Sequence, residues 1–242
     1  MAHDLGHYAA GTRKQGTPVL ASQFLERLKG RMRHGLLTQE ILDSGGRVGI
    51  RLMPYLVVDE SPDLDAGLPP AAANHVVRPL TADDMPLLAS MPGREREAHK
   101  ARERLQFAEC LGLFVDGRLV GYTWSRRDRI VHGGKVELHR LGPEEAYLFD
   151  IYVNREFRGH GLAHVMRQES YRHLAARGIR RFFSISAYFN ESTRKFKSRL
   201  GARDLELRIL FKLRSVAMAD FRLRRYVPGA GLSSRRAYFM RG

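Results

Sequence analysis

Apolar positions recur with two different periods along the chain, and the places where the period changes outline its elements. Over residues 19–42 the spacing is helical: Leu20, Phe24, Leu28, Met32, Leu36, Leu37 and Ile41 return at intervals of three and four. Gly30 and Gly35 weaken the stripe, so it predicts one helix or two short ones, with Arg27, Lys29, Arg31 and Arg33 on the other face. Asp43-Ser44-Gly45-Gly46 ends this unit, and residues 47–58 alternate as a strand or hairpin arm. Residues 1–18 read as a poorly ordered start, and residues 62–74, rich in Pro, Ala and Asp, as a linker. Beyond it the pattern is strand (75–80), helix opened by the cap signature Thr81-Ala82-Asp83-Asp84, and a charged helix (94–107). Two strands joined by Asp116-Gly117 follow, a two-residue hairpin signal. Another strand surrounds Gly133-Gly134, a core strand covers 146–153, and strands over 180–187 and 203–213 complete a mixed α/β order.

The core strand leads into chemistry. Tyr147, Leu148, Phe149, Ile151, Tyr152 and Val153 are strand-like, Asn154-Arg155-Glu156 breaks the run, and Arg158-Gly159-His160-Gly161-Leu162-Ala163 opens a helix ending near Gly178. Small residues at a helix start let unpaired N–H groups approach an anion, usually a phosphate, at the positive end of the helix dipole. The chain has no G-x-x-x-x-G-K-[ST], and Gly159-His160-Gly161-Leu162-Ala163-His164 fails G-x-G-x-x-G at its last position. What remains is Arg158-x-x-Gly161-x-Ala163 directly after a strand. It resembles the pyrophosphate-binding motif [Q/R]-x-x-G-x-[G/A] of the GNAT superfamily of acyl-CoA-dependent N-acyltransferases. A second match lies downstream, where Asn190, Thr193, Phe196, Arg199, Leu200 and Gly201 fit the family's next helix. Lys197 departs from it, standing where many members carry a tyrosine that protonates the departing thiolate.

The resemblance implies an α/β GNAT-like fold over residues 76–213, with an N-terminal extension over 1–75 and a basic tail over 214–242. It implies acyl transfer, most simply of acetyl, from acetyl-CoA or another acyl-CoA to a primary amine attacking directly in a ternary complex. The acceptor would be a small molecule or an amino sugar. The backbone of Ile151 and Val153 would hold the pantetheine, the N–H groups of Arg158, Gly159, His160, Gly161, Leu162 and Ala163 the pyrophosphate, and Asn190 the pantetheine arm. For the base, Glu145 is the first choice, since the family often places a carboxylate near the start of this strand, and Asp150 the alternative. Period two puts Glu145, Tyr147, Phe149, Ile151 and Val153 on one face and Asp150 on the other. Tyr188, near Asn190, is the candidate acid. Lys197 could stabilise the thiolate as a cation, but between Arg194 and Arg199 its expected place is solvent.

Composition widens the list of partners. Lys+Arg of 41 against Asp+Glu of 26 gives a net charge of +15 and a pI near 10.5, a field that attracts CoA phosphates, an acidic acyl-carrier protein or an anionic membrane surface. A carrier protein as donor, and a catalytically weak domain acting as a binding or regulatory module, are the alternative functions. The C-terminal arginines interleaved with Tyr226, Tyr238 and Phe239 suit an acidic partner or a homodimer contact; nucleic acid is not the expected partner. The single cysteine, Cys110, excludes an intrachain disulfide and reads as a buried hydrophobe. No apolar run is long enough for a bilayer and no secretory signal is evident, so the expected location is the cytoplasm. His160 and His164 have a helical metal-ligand spacing but no carboxylate or thiol to complete a set, so no metal is expected. Trp124 reads as core, with the acceptor pocket as its alternative place.

Overall fold

The computed structural model describes residues 50–60, 62, 64, 75–132, 136–213, 217–227 and 238–239. The helical stripe expected over 19–42, the chain's start, Gly133-Gly134 and most of the linker lie outside the described residues. In chain order the strands are β1 (Ile50–Asp59), β2 (His75–Pro79), β3 (Glu109–Val115), β4 (Arg118–Arg126), β5 (Arg129–His132), β6 (Val136–Arg140), β7 (Glu145–Val153), β8 (Arg181–Ala187), β9 (Arg203–Leu213), β10 (Ala217–Arg225) and β11 (Tyr238–Phe239). The helices are α1 (Met85–Ala89), α2 (Glu95–Arg104), α3 (Leu162–Ala175) and α4 (Glu191–Arg199).

Nine strands form one mixed sheet in the order β11-β10-β9-β1-β8-β7-β4-β3-β2, and β5 and β6 pair separately. Local chemistry explains several joints. Asp116 and Gly117 both take positive φ, 49° and 76°, as the primed hairpin turn between β3 and β4 requires. At the start of α1 the Thr81 N–H donates to Asp84 Oδ2 at 2.9 Å, and Arg78 closes on the same carboxylate at 2.7 Å.

Two expectations about organisation are corrected. The strand before the linker is not part of a separate extension: β1 lies between β8 and β9, antiparallel to both, and Tyr55, Leu56, Val57 and Val58 are buried. Residues 217–225 are not a tail but strand β10, paired along β9. Its arginine-rich composition reads as solvated, yet Arg222 pairs with Glu206 and Asp220 with Arg208.

The sheet has two covered faces. On one, α3 sets Leu162 and Met166 against Val120 and Val153, and Tyr171 and Leu174 against Ala146, Leu148 and Phe182. On the other, Ile130, Val136 and Leu138 of the β5–β6 hairpin cover Tyr55, Tyr147 and Phe183, while Met85, Leu88 and Ala101 of α1 and α2 cover Tyr122 and Trp124. Burying both faces accounts for near-continuous apolar runs such as residues 110–115.

Period two fails on β7. The β4–β7 register shifts between Tyr122 and Trp124, and Asp150 takes φ 51°. This bulge inserts one residue and resets the alternation. Tyr147 and Phe149 stay on the face opposite α3, but Ile151 and Val153 join Ala146 and Leu148 on the α3 face. The single face expected for Glu145, Tyr147, Phe149, Ile151 and Val153 therefore does not exist.

Candidate active site

β7 and β8 run parallel and pair from Glu145↔Arg181 to Leu148↔Ser184. Beyond that pair they part. The bulge keeps β7 on β4, through Tyr122↔Tyr152 and Gly121↔Val153. β8 stays on β1, through Val57↔Ile185 and Tyr55↔Ala187. A gap between two strand edges is the natural place for another extended group, because backbone N–H and C=O groups there seek partners. Two carbonyls at the gap are taken by side chains: Arg158 Nε donates to Val153 O at 3.0 Å, and Lys197 Nζ donates to Ile185 O at 2.9 Å.

At the end of β7 a turn of 3-10 helix (Arg155–Phe157) leads to Gly159 at φ 87° and Gly161 at φ 74°. Gly161 is the N-cap of α3, in the left-handed conformation and with no side chain to cap the helix. None of the N–H groups of residues 159–163 has an acceptor among the described residues. Helix α3 is 14 residues long, so its dipole and these free donors together suit a phosphate. His160 is exposed beside them. Asn190 caps α4: its Oδ1 accepts from Thr193 N at 3.1 Å.

On the α3 face of the gap lies a charge cluster that the sequence reading missed. Lys197, expected in solvent, is 4% exposed. Its ammonium donates to Ser184 Oγ at 2.7 Å as well as to Ile185 O, and stands 3.6 Å from Glu60 Oε1. Glu60 is fully buried at the end of β1, where its N–H bonds to Phe182 O. Its carboxylate accepts from Tyr171 Oη at 2.5 Å and from Ser184 Oγ. Arg167 Nε lies 3.4 Å from it, near enough for charge attraction but without hydrogen-bond geometry. Arg167 is 1% exposed, yet its Nε and Nη1 have no hydrogen-bond partner among the described residues, and the same holds for Ser186 Oγ and Thr123 Oγ1. Ser186 lies two residues beyond the last β7–β8 pair, and Thr123 opposite the bulge. Buried donors left open beside a gap are what a polar ligand would fill.

The cluster holds two cations and one carboxylate, and their protonation follows from that imbalance. Burial alone would raise the Glu60 carboxyl, but Arg167, Lys197 and the two hydroxyls hold it below its ordinary value. Burial pushes the Lys197 amine down, Glu60 pulls it back and Arg167 pushes it further, to about 8. Glu60 has two cations to itself; Lys197 shares one carboxylate.

The three candidates for acid and base are not brought together. Glu145 sits at the closed end of the β7–β8 pairing, about 10 Å of strand before Leu148. There it is held by Arg181 at 2.8 Å, the Gly142 N–H at 3.0 Å and His139 at 3.4 Å. Asp150 sits at the bulge where the strands part, ion-paired with Arg104 at 2.7 Å. Tyr188 turns towards β1: its N–H bonds to Pro54 O, and its ring packs edge-on against Phe189 under the Arg194 guanidinium. Trp124 is core, stacked on Phe149, and Cys110 is buried, its thiol pushed up by that burial. No group of three or more His, Cys, Asp or Glu that could hold a metal occurs among the described residues, and none of their helices is long and apolar enough to cross a membrane.

Comparison with known proteins agrees with the strand–loop–helix geometry. The acetyltransferase (GNAT) family model matches residues 77–202, just over half of the chain. The chain belongs to the GNAT acetyltransferase family. Among solved structures it is similar to a tandem GNAT protein from the clavulanic acid biosynthesis pathway, with 19% identity over 66% of this chain and 53% of that one and a TM-score of 0.51. It is also similar to a Drosophila melanogaster protein (17% identity, 79% of this chain, 57% of that one, TM-score 0.50). A third likeness is to the glucosamine N-acetyltransferase region of a fungal multi-domain β-N-acetylglucosaminidase (12% identity, 72% of this chain, 23% of that one, TM-score 0.51). At these identities the likeness is one of fold, and the first two matches span between half and two thirds of those chains. No curated protein matches the sequence. Within the GNAT chain, β1 with Glu60, together with β9 and β10, lies outside the family-model match.

Proposed function

We propose that this GNAT protein is an N-acyltransferase, most simply an N-acetyltransferase, that uses acyl-CoA as donor and a primary amine as acceptor. The observation that carries the reading is the parting of β7 from β8 beyond Leu148 and Ser184, next to a helix start whose N–H groups are free. The pyrophosphate would rest on residues 159–163 and the pantetheine on the open edges of β7 and β8. The acyl carbonyl would then lie near the bulge, with the sulfur towards Lys197.

Of the two carboxylates on the core strand we assign the amine to Asp150. It stands where the strands part and Arg104 fixes its orientation, whereas Glu145 is held at the closed end by three partners. Asp150 takes a proton from the incoming ammonium, directly or through water, and the amine attacks the thioester carbon. The C–N bond forms, the C–S bond breaks, and the Lys197 ammonium, not Tyr188, gives a proton to the departing sulfur. The amide nitrogen releases its remaining extra proton to solvent, and the products are an amide and a free thiol.

Thermal unfolding with acetyl-CoA and longer acyl-CoAs tests the donor. At about a hundredfold excess over Kd, a native-state ligand adds about 2.7 kcal/mol, a rise of about 5 °C or more for a chain of this size. The rise is expected to vanish in Gly161→Glu, which puts a side chain and a negative charge where φ is positive and an anion should bind. If no CoA ester raises the midpoint, the donor reading fails. The net charge of +15 supports a second reading, an acidic acyl-carrier protein as donor. It predicts binding that weakens steeply with salt while free acyl-CoA has no effect.

A further inference from the structure

The carboxylate of the buried cluster comes from an unexpected part of the chain. Lys197, Arg167, Tyr171 and Ser184 all belong to the matched GNAT residues 77–202, but Glu60 closes a strand that precedes them. Strand β1 is paired on both sides, so the position of Glu60 is set by the sheet. Its side chain enters under α3 and α4 and meets both cations at the level of Ser184, the residue where β8 leaves β7. Without that carboxylate only the half-buried Asp204 would stand against two buried cations, an imbalance that a low-dielectric site does not tolerate. The group that would give way is Lys197, since an arginine keeps its proton.

We infer that Glu60 is the positioning residue that keeps Lys197 charged and aimed at the gap between β7 and β8, so that the strand preceding the matched domain is part of the acyl-transfer site. The inference rests on Lys197 as the proton donor proposed above. Glu60 does not touch the donor; it acts through Lys197 and through Ser184 Oγ, which lies between them. The groups that face Lys197 come from several elements: Glu60 after β1, Arg167 on α3 and Asp204 on β9 carry charge, Ser184 on β8 accepts its hydrogen bond, and Tyr171 on α3 donates to Glu60. Among the charged groups Glu60 and Asp204 favour the ammonium, Glu60 more strongly. Lys197 also borders a cavity of about 440 Å³, with Ser186 and Asp204 on its wall, which offers water a route by which the amine regains its proton.

The test follows the titration of Lys197 in the full chain by NMR of carbon-13-labelled lysine, with the resonance identified by its loss in Lys197→Met. In Glu60→Gln the midpoint should fall by about one pH unit or more, because the repulsion of Arg167 then loses its main counterweight. Glu60→Asp, which keeps the charge, should restore most of it. In Arg167→Met the midpoint should rise by a similar amount, because Glu60 then serves Lys197 alone. Thiol release from acetyl-CoA, with a panel of primary amines as acceptor, should lose its alkaline limb at correspondingly lower pH in Glu60→Gln and at higher pH in Arg167→Met. A Lys197 midpoint that stays put in Glu60→Gln overturns the inference. If Glu60→Gln does not fold, a midpoint that fails to rise in Arg167→Met overturns it equally. The donor reading is judged separately by the acyl-CoA thermal shift of the wild type: without that shift the proposed function fails, while the lysine titration still reports what Glu60 does.

Discussion

Two buried charge clusters lie on opposite faces of the same sheet, and their charges are balanced differently. On the face away from α3, Arg208 is 2% exposed and donates to Asp220 at 2.6 Å and to Glu206 at 2.8 Å. Tyr55 also donates to Asp220, and Arg222 reaches Glu206 at 3.3 Å. Although burial works against its charge, the flanking acids raise the Arg208 pKa above its ordinary value. Nearby, the His132 ring packs tilted against Tyr55 at 4.1 Å and is pushed down to about 4 by burial and by Arg208, so it is neutral at pH 7. On the α3 face one carboxylate, Glu60, serves two buried cations, with unfilled donors on Arg167 and a lysine pushed down to about 8. The first cluster has a partner for each charge and ties β10 and β9 to β1. The second is left with spare positive charge beside the place where β7 and β8 separate. On the function proposed above, that difference separates a cluster that holds the fold from one that meets a ligand.

The comparison can be broken most forcefully at Arg208. Arg208→Met leaves Glu206 and Asp220 buried around an apolar side chain and should cost about 3–5 kcal/mol, read as a fall in the denaturant midpoint. Lys197→Met removes the surplus cation and leaves Glu60 with Arg167, Tyr171 and Ser184. Its stability should change by about 1 kcal/mol or less, while thiol release falls about a hundredfold, equivalent to about 2.7 kcal/mol in the barrier. Equal losses of stability in the two variants would erase the distinction.

A pH series sharpens it further. The folded Lys197 midpoint of about 8 lies below the ordinary 10.5, so between these values the unfolded chain binds more protons and stability rises with pH. Measured as wild type minus Lys197→Met, so that Cys110 and the buried tyrosines cancel, stability should grow by about 1–3 kcal/mol from pH 8 to 10. The smallest effect is expected at Asp150, whose pair with Arg104 is about a quarter exposed on each side. Asp150→Asn should change stability by about 1 kcal/mol or less and lower the rate of thiol release about tenfold or more. The same substitution at Glu145, held by Arg181, His139 and the Gly142 N–H, should act on stability more than on rate.

What the sequence disclosed about the fold was local. The run from Tyr147 to Ala163 carries strand, turn and helix start within a few residues of each other, so the anion loop was legible, as was the Asp116-Gly117 hairpin. The bulge at Asp150 was not. An aspartate in the left-handed region leaves no mark on an apolar run, and one inserted residue moved Ile151 and Val153 to the other face. The place of β1 was hidden because its partners, β8 and β9, lie more than a hundred residues downstream. Lys197 looked solvated for the same reason. Its helix neighbours Arg194 and Lys195 are exposed, and the carboxylate that makes its burial tolerable is 137 residues away at Glu60. β10 was masked by its own arginines, whose acidic partner, Glu206, is on β9.

The most direct test of the α3-face cluster as the working site is the Lys197 NMR signal recorded with and without coenzyme A, at a concentration that raises the thermal midpoint. A sulfur lodged in the gap should displace the Lys197 resonance and move its titration midpoint upward, because a thiolate favours the ammonium; desulfo-coenzyme A, which lacks that sulfur, should leave the midpoint where it was. Coenzyme A that binds, raises the unfolding midpoint and leaves Lys197 unmoved would contradict the assignment and return this cluster to the same structural standing as Arg208.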